Sequence, residues 1–389
     1  MLKIVLNVIF ILFAVQTFYL FLYAFASMFY RKRRRHEETA HFSWAVLIPV
    51  YREDEVILHT VENAISDTSG LLDVHIYVLS DGLQDETNTK LEKLGARVIP
   101  IVLDKSTKAK SLRIAANRLE EANYDKVVIL DADNRMTAEN WNFLLHSVYA
   151  EKPVVQCNRS ALNSDTPMAF LDTLNEAIGN SIFRKGHNVL GISAALTGSG
   201  MVFDFRVFHE MVNGIDEEMS GEDKFYELYL LENEHFITYA HEVVVLDEKV
   251  SNTQQFSKQR TRWISSQYAA FFSSSAMAFV QLGMGNIGYF DKWLQWGFLP
   301  KFILFGLLSV IAVIDLVLNG LGAWVQLYVF LVLAFMMAIP RAYYDARMIQ
   351  AILFAPKAMV ALIKGILGIK KDSARTFNVT EKGSNRKSD

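Results

Sequence analysis

A single cysteine, Cys157, stands among the 389 residues. One thiol excludes an internal disulfide framework and suits a reducing compartment; a small buried strand residue is the role expected of it. The nine histidines are scattered, and no Cys/His cluster has the spacing of a zinc site. His187, beside Arg184-Lys185-Gly186, is expected at the surface. No nucleophile elbow of a Ser-His-Asp hydrolase is present. The glycine-rich "LTGSGMVF", Thr197 to Phe203, lacks the Gly-Lys-Ser/Thr ending of a phosphate-binding P-loop. Net charge is −3, so there is no basic excess and no nucleic-acid partner is expected. Tandem repeats and low-complexity segments are absent before the polar tail "EKGSNRKSD".

What the chain has in quantity is apolar sequence: 51% of it is hydrophobic, and the mean hydropathy is positive. From Ile4 to Tyr30 the sequence is apolar, long enough for a span, which takes about 20 residues. Ala24-Phe25-Ala26 faintly resembles a signal-peptidase site, but the run is too long and the basic cluster Arg31 to Arg35 follows it instead of preceding it. The positive-inside rule then predicts an N-terminal anchor with everything after Arg31 in the cytoplasm. Two further runs, "GFLPKFILFGLLSVIAVIDLVLNG" and "WVQLYVFLVLAFMMAIPR", flank a linker without Lys or Arg and predict a hairpin that leaves the cytoplasm and returns. Asp315 lies within the first of them, where an acid normally flags function; near the outer end, an interface-seeking carboxylate is the expected reading. "AILFAPKAMVALIKGILGIKK" carries Pro356, Lys357 and Lys364 and reads as an interfacial amphipathic helix rather than a span. That choice keeps the tail cytoplasmic.

Between about residues 41 and 263 short β-branched runs alternate with helical stretches. "WAVLIPVY", "VHIYVLSD", "ARVIPIVL", "KVVILDAD" and "PVVQCN" read as strands; "DEVILHTVENAISD" and "AKSLRIAANRLEEAN" read as helices. Nearly continuous apolar strands separated by helices predict an α/β fold, a mostly parallel sheet covered on both faces. Ligands gather at the carboxyl ends of such strands, and three of these strands end in Tyr51 and Glu53, in Asp81, and in Asp131 and Asp133. A lone carboxylate there is usually a helix cap. Residues i and i+2 of a strand share a face, so Asp131 and Asp133 are expected to reach one ligand. Five regions are expected: an anchor at 1–30, a catalytic domain at 31–263, an interfacial segment at 264–296, a transmembrane hairpin at 297–341, and an interfacial helix with tail at 342–389.

"IPVYREDE", "LSDG", "KAKSLRIAAN", "DAD", "SGEDKFYE" and "QRTRW" follow one another in the order of the motifs of the inverting family-2 glycosyltransferases. The chain resembles their membrane-integrated branch, which holds cellulose, chitin and hyaluronan synthases. Gly221 stands where that family's Thr-Glu-Asp segment has Thr, and the lysine segment lacks the usual Gly and Leu-Asn. The tail "FNVTEKG", Phe377 to Gly383, is similar to the gating loop of cellulose synthase. The resemblance implies a GT-A-like fold, a UDP-sugar donor and a Mg²⁺ or Mn²⁺ ion. It implies Asp133 on the metal, Asp131 on the metal or the donor ribose, and Tyr51, Glu53 and Asp81 around the base. It makes Asp223, beside Glu222, the general base, although an acid favoured by a helix N-terminus is the alternative. Arg262 offers a planar fork to a diphosphate, and Trp263 a flat face to a sugar; an interfacial Arg-Trp pair is the other reading. Gln259 lies one turn before Trp263 on the same face. Lys110 pairs with phosphate or base, or is simply solvated. Gly198 and Ser199 lie near the acceptor by resemblance, or form a plain tight turn. Thr380 and Lys382 of the tail join the donor site if the tail is cytoplasmic.

The expected reaction is transfer of a sugar from a UDP-sugar to a hydroxyl of a glycan or lipid-linked acceptor at the membrane face. A nucleotidyltransferase working through Asp131 and Asp133, or a non-catalytic nucleotide-binding membrane protein, are the competing classes. Only three spans are expected, too few for a one-chain secretion channel. A dimer, an export partner or a lipid-linked acceptor would resolve that.

Overall fold

The computed structural model describes residues 2–35, 41–216, 221–249 and 253–367. The strands are β1 (Trp44–Tyr51), β2 (Val74–Asp81), β3 (Arg97–Ile101), β4 (Lys126–Ile129), β5 (Val154–Ala161), β6 (Met201–Asp204) and β7 (Thr238–Asp247), in one sheet ordered β3-β2-β1-β4-β6-β5-β7. Neighbours run parallel except β6, antiparallel to both β4 and β5. The helices are α1 (Leu2–Ser27), α2 (Asp54–Thr68), α3 (Asp85–Lys93), α4 (Lys108–Leu119), α5 (Ala138–Leu145), α6 (Pro167–Asn180), α7 (His187–Val189), α8 (Phe205–Gly214), α9 (Glu222–Glu232), α10 (Thr253–Gly283), α11 (Ile287–Gly297), α12 (Lys301–Asn319), α13 (Ala323–Ala338) and α14 (Ala346–Leu367). This is the mostly parallel α/β architecture that the strand and helix periodicities imply.

Alternation along β1 divides the core. Ala45 and Leu47 join residues of α4, α8 and α9 on one face, and Val46 and Ile48 join α2, α3 and α5 on the other. Burial on both faces is why these strands read as unbroken apolar runs. A third apolar core gathers residues of α1, α6, α12, α13 and α14.

One expectation is corrected at β4. The strand stops at Ile129, so Asp131 and Asp133 lie beyond it. β6 begins at Met201 opposite Ile129, so β4 has no strand partner on that side beyond this point, although β1 runs on to Tyr51. The chain turns instead, with Asn134 N–H donating to the Asp131 carbonyl (3.0 Å). The two aspartates are neighbours through a turn, not through the alternation of a strand.

His187 is also corrected, from surface to fully buried. A π-helical stretch, Ser181–Gly186, joins α6 to α7; its wider turn changes the helical register and directs His187 inward against α1. The Tyr23 ring stacks on the imidazole at 3.7 Å, and Nδ1–H donates to the Ile182 carbonyl (2.6 Å). Gly186 permits the approach, since a Cβ there would lie 2.1 Å from the Tyr23 carbonyl oxygen.

Among the described residues, two helices are long and apolar enough to cross a membrane, Lys3–Ser27 and Lys301–Asn319; Ala323–Ala338 is apolar but shorter. They pack as a bundle through contacts such as Phe10 on Trp324 and Phe305 on Phe335. Asp315 caps α13, accepting hydrogen bonds from Trp324 N–H (3.1 Å) and Asn319 Nδ2 (2.9 Å). The positive end of that helix explains an acid at this position. α10 runs without a break through residue 263, where the catalytic domain was expected to end.

Candidate active site

The parallel register sets Tyr51 beside Asp81 at the ends of β1 and β2. Asp81 is buried and Tyr51 half-buried. Just past them Arg52 adopts φ 55°, turning the chain toward Glu53, which precedes α2. The three residues expected around a base thus share one sheet edge.

The loop after β4 is held by a chain of polar contacts. Asp131 N–H donates to Ser199 Oγ (3.0 Å), and that hydroxyl donates to Asn134 Oδ1. Asn134 Nδ2 donates to Asp133 Oδ1 and to Asp247 Oδ1, each at 3.1 Å. Thr60 Oγ1 donates to the Ala132 carbonyl (2.6 Å). Ser199 is therefore buried behind the aspartates with its hydroxyl occupied, and Gly198 presents its carbonyl to the site. Asn134 is a positioning residue that sequence reasoning did not single out.

Lys108 is the other omission. Its Nζ pairs with Asp131, donates to the Gly198 carbonyl (2.6 Å) and lies 4.0 Å from Glu222 Oε1. Burial works against its charge, but Asp131 and Glu222 outweigh it and hold the ammonium above its ordinary value. Lys110 is two residues further on, about 200° around the helix. A signal for Lys108 was available. Thr107 caps α4 by accepting from Lys110 N–H (3.2 Å), which sets Lys108 in the first turn. A cation is disfavoured there by the helix dipole, so it needs a carboxylate.

Glu222 and Asp223 open α9. Burial raises the Glu222 carboxyl above its usual range, Lys108 opposes that, and Asp223 adds to it. Gly221 explains the departure from Thr in the motif. Its φ is +86°, and a Cβ would lie 2.8 Å from Ser266 Cβ on α10. Only glycine lets the two helices close here. Arg262 precedes Ser266 by one turn on the same face of α10. Arg260 stacks over Trp263 at 4.4 Å and pairs with Asp172, covering one face of the indole. Gln259 and Trp263 are half-buried on α10. Thr380 and Lys382 lie outside the described residues.

Among the described residues, no group of three or more His, Cys, Asp or Glu side chains converges as a cation site. Asp131 and Asp133 form an oxygen-only pair that leaves coordination positions for phosphate oxygens, a donor set that suits Mg²⁺ or Mn²⁺.

The profile of the family described as "Glycosyltransferase like family 2" matches residues 42–266, more than half of the chain. The protein belongs to this glycosyltransferase family. Among solved structures it is similar to the mannosyltransferase PcManGT from Pyrobaculum calidifontis, in complex with GDP-Man and Mn²⁺. Identity is 16% and the TM-score 0.48, covering 86% of this chain and 98% of that one. It is also similar to glucosyl-3-phosphoglycerate synthase from Mycobacterium tuberculosis in complex with Mn²⁺, UDP and glucosyl-3-phosphoglycerate. There identity is 16% and the TM-score 0.39, covering 61% of this chain and 85% of that one. No curated protein matches the sequence. The matched span of the glycosyltransferase family contains every site residue named above except those of the tail.

Proposed function

We propose that this glycosyltransferase is a metal-dependent, inverting, membrane-integrated enzyme that transfers a sugar from a UDP-sugar to an acceptor hydroxyl in the synthesis of a cell-surface polysaccharide. One observation carries the reading. Asp131, Lys108 and Glu222, from three separated segments, meet beside Asp223 and the Gly198 carbonyl. That cluster supports reading this edge as a diphosphate site next to a candidate base.

Tyr51, Glu53 and Asp81 bind the base of the donor. Asp133 and Asp131 would hold Mg²⁺ or Mn²⁺, which supplies Lewis-acid neutralisation of the diphosphate. Asp223 takes the proton of the acceptor hydroxyl as its oxygen bonds to the anomeric carbon. The bond from that carbon to the diphosphate breaks on the opposite side, which inverts the centre. Lys108 and Arg262 receive the charge that develops on the leaving group. Glu222 holds Lys108 in place, and Trp263 and Gln259 line the acceptor side.

α1, α12 and α13 present a continuous set of exposed apolar side chains, among them Ile11, Leu12, Phe18, Val313, Val317 and Leu333. A patch of that extent calls for a lipid environment, with the catalytic domain on the cytoplasmic side of Arg31 to Arg35. Three apolar helices are few for a channel, so a second copy or an export partner completes any route for a long product. The test supplies the detergent-purified chain with a panel of nucleotide sugars and Mg²⁺ or Mn²⁺, and follows nucleoside diphosphate release. Metal-dependent release with one donor is expected; binding without turnover on every donor overturns the proposal.

A further inference from the structure

Beneath the acceptor side, where α6, α10 and the start of α12 meet, the chain gathers more cations than carboxylates among its described residues. Arg159 pairs with Asp247 (2.8 Å) and approaches Glu176 (3.7 Å); Lys249 pairs with both acids, and Arg260 with Asp172. Arg184 and Lys301 have no carboxylate within salt-bridge distance among the described residues. Arg184 donates to the Ala195 carbonyl (3.0 Å) and to Asn180 Oδ1 (2.6 Å), and Lys301 to the Asn175 carbonyl (3.1 Å). Five cations thus face three acids. The next carboxylates, Asp131 and Glu227, are engaged by Lys108 and Lys292. Two uncompensated charges at the foot of an apolar bundle are costly unless an anion joins them.

The local geometry brings these cations together. A Cβ on Gly179 would lie 3.2 Å from Lys301 Nζ and 3.7 Å from Arg184 Nη1, so the glycine lets both cations pack against the same turn of α6. Arg260 Nε is buried without a hydrogen-bond partner. Arg184, Arg260 and Lys301 are each only partly buried, which leaves them reachable. Two guanidinium forks and an ammonium suit an anion with several oxygens around one centre. The location selects its carrier. Lys301 is the first residue of the candidate span α12, its Nζ sits 5.1 Å over the Phe183 ring, and Leu304 and Leu308 further along the same helix belong to the apolar core. On the other side, Arg184 and Arg159 hold Ala195 and Thr197, in the loop whose Gly198 carbonyl takes Lys108.

We infer that Arg184, Arg260 and Lys301 form a binding site for the phosphoryl head of a membrane lipid, which presents the acceptor to the transfer site. This rests on the glycosyltransferase reading and narrows its acceptor to a lipid with a phosphate or diphosphate head, the tail lying along the apolar helices.

The full chain in phosphatidylcholine nanodiscs, doped at equal mole fraction with a long-chain isoprenyl phosphate or the matching isoprenol, tests this. The lipid retained per protein is counted after extraction into detergent and gel filtration. At least tenfold preference for the phosphate is expected, with Arg184→Gln and Lys301→Gln each removing most of it and Lys301→Arg keeping it. Equal retention of phosphate and alcohol by the wild-type chain overturns the site, and needs no variant to fold. Preference that survives both Gln variants places the binding elsewhere and overturns the assignment. Inorganic phosphate that displaces the lipid at equal concentration shows a site for free phosphate and overturns the lipid carrier. Diphosphate release from nucleotide sugars by the wild-type chain is followed separately. Its absence alongside selective lipid binding would fail the enzymatic reading while leaving the phosphoryl site standing.

Discussion

The proposed donor and acceptor sides of the site are assembled by different means. On the donor side, Tyr51 and Asp81 come together because β1 and β2 end at the same level, and Asp131 and Asp133 follow in the turn beyond the shorter β4. On the acceptor side, Arg159 finds Asp247, Arg260 finds Asp172 and Lys292 finds Glu227, each across a long stretch of chain. Backbone register builds the first, and buried ion pairs between packed helices build the second. Substitutions on the donor side should therefore act mainly on the chemistry, and those on the acceptor side on stability and acceptor handling.

The sharpest test of the divide is Asp223→Asn, at the junction of the two sides. Removing a general base should lower the rate of transfer by roughly 10²–10⁴-fold, with donor affinity and the unfolding temperature little changed. A variant that retains near wild-type turnover would remove Asp223 from the mechanism. Lys108→Met comes next, because it leaves Asp131 and Glu222 facing each other without a cation. Breaking a buried pair costs about 3–5 kcal/mol; with Asp131 35% exposed, roughly 2–3 kcal/mol is expected from chemical denaturation, together with weakened nucleotide-sugar binding. Lys110→Met should do neither to the same degree.

Gly221→Ala tests the contact that joins the sides. The left-handed backbone alone costs roughly 1–2 kcal/mol for a residue with a Cβ, and the approach to Ser266 adds to it. Adding Ser266→Gly should recover the packing part but not the backbone part, which unfolding of the single and double variants separates.

Acid should weaken the acceptor side through His241. Burial and the adjacent Lys185 push its imidazole down to about 4, from an ordinary 6.5. Between those values the unfolded chain binds the extra proton and the folded chain does not. Stability is then present above about 6.5 and declines as pH falls toward 4. Thermal melts at neutral and mildly acidic pH should show the decline, and His241→Gln should flatten it. The smallest effect expected is that of Asp315→Ala, a lost cap worth about 1 kcal/mol, read as a lower unfolding temperature with transfer unaffected.

Several features were legible before any coordinates. β1, β2 and α9 coincide with the segments "WAVLIPVY", "VHIYVLSD" and "EDKFYELYLLE", because burial on both sheet faces and a helix-favouring charge pattern leave marks on local sequence. The cap at Thr107 was legible too, but it sets Lys108 and Lys110 alike in the first turn of α4 and does not choose between them. His187 was not, because a π-helical turn shifts the register without a local signature. The end of β4 was not, because the turn that follows it is held by Ser199, some seventy residues later.

The sequence alone determined the α/β class, the strand-end aspartates and the apolar helices, all properties of short-range periodicity and composition. Only the tertiary structure decided that Lys108 answers Asp131, that Gly221 must be glycine because α10 comes so close, and that Arg184 and Lys301 are left without acids of their own. These depend on distances between residues far apart in the chain. Burial turns such distances into electrostatic and steric constraints, and no local pattern records them.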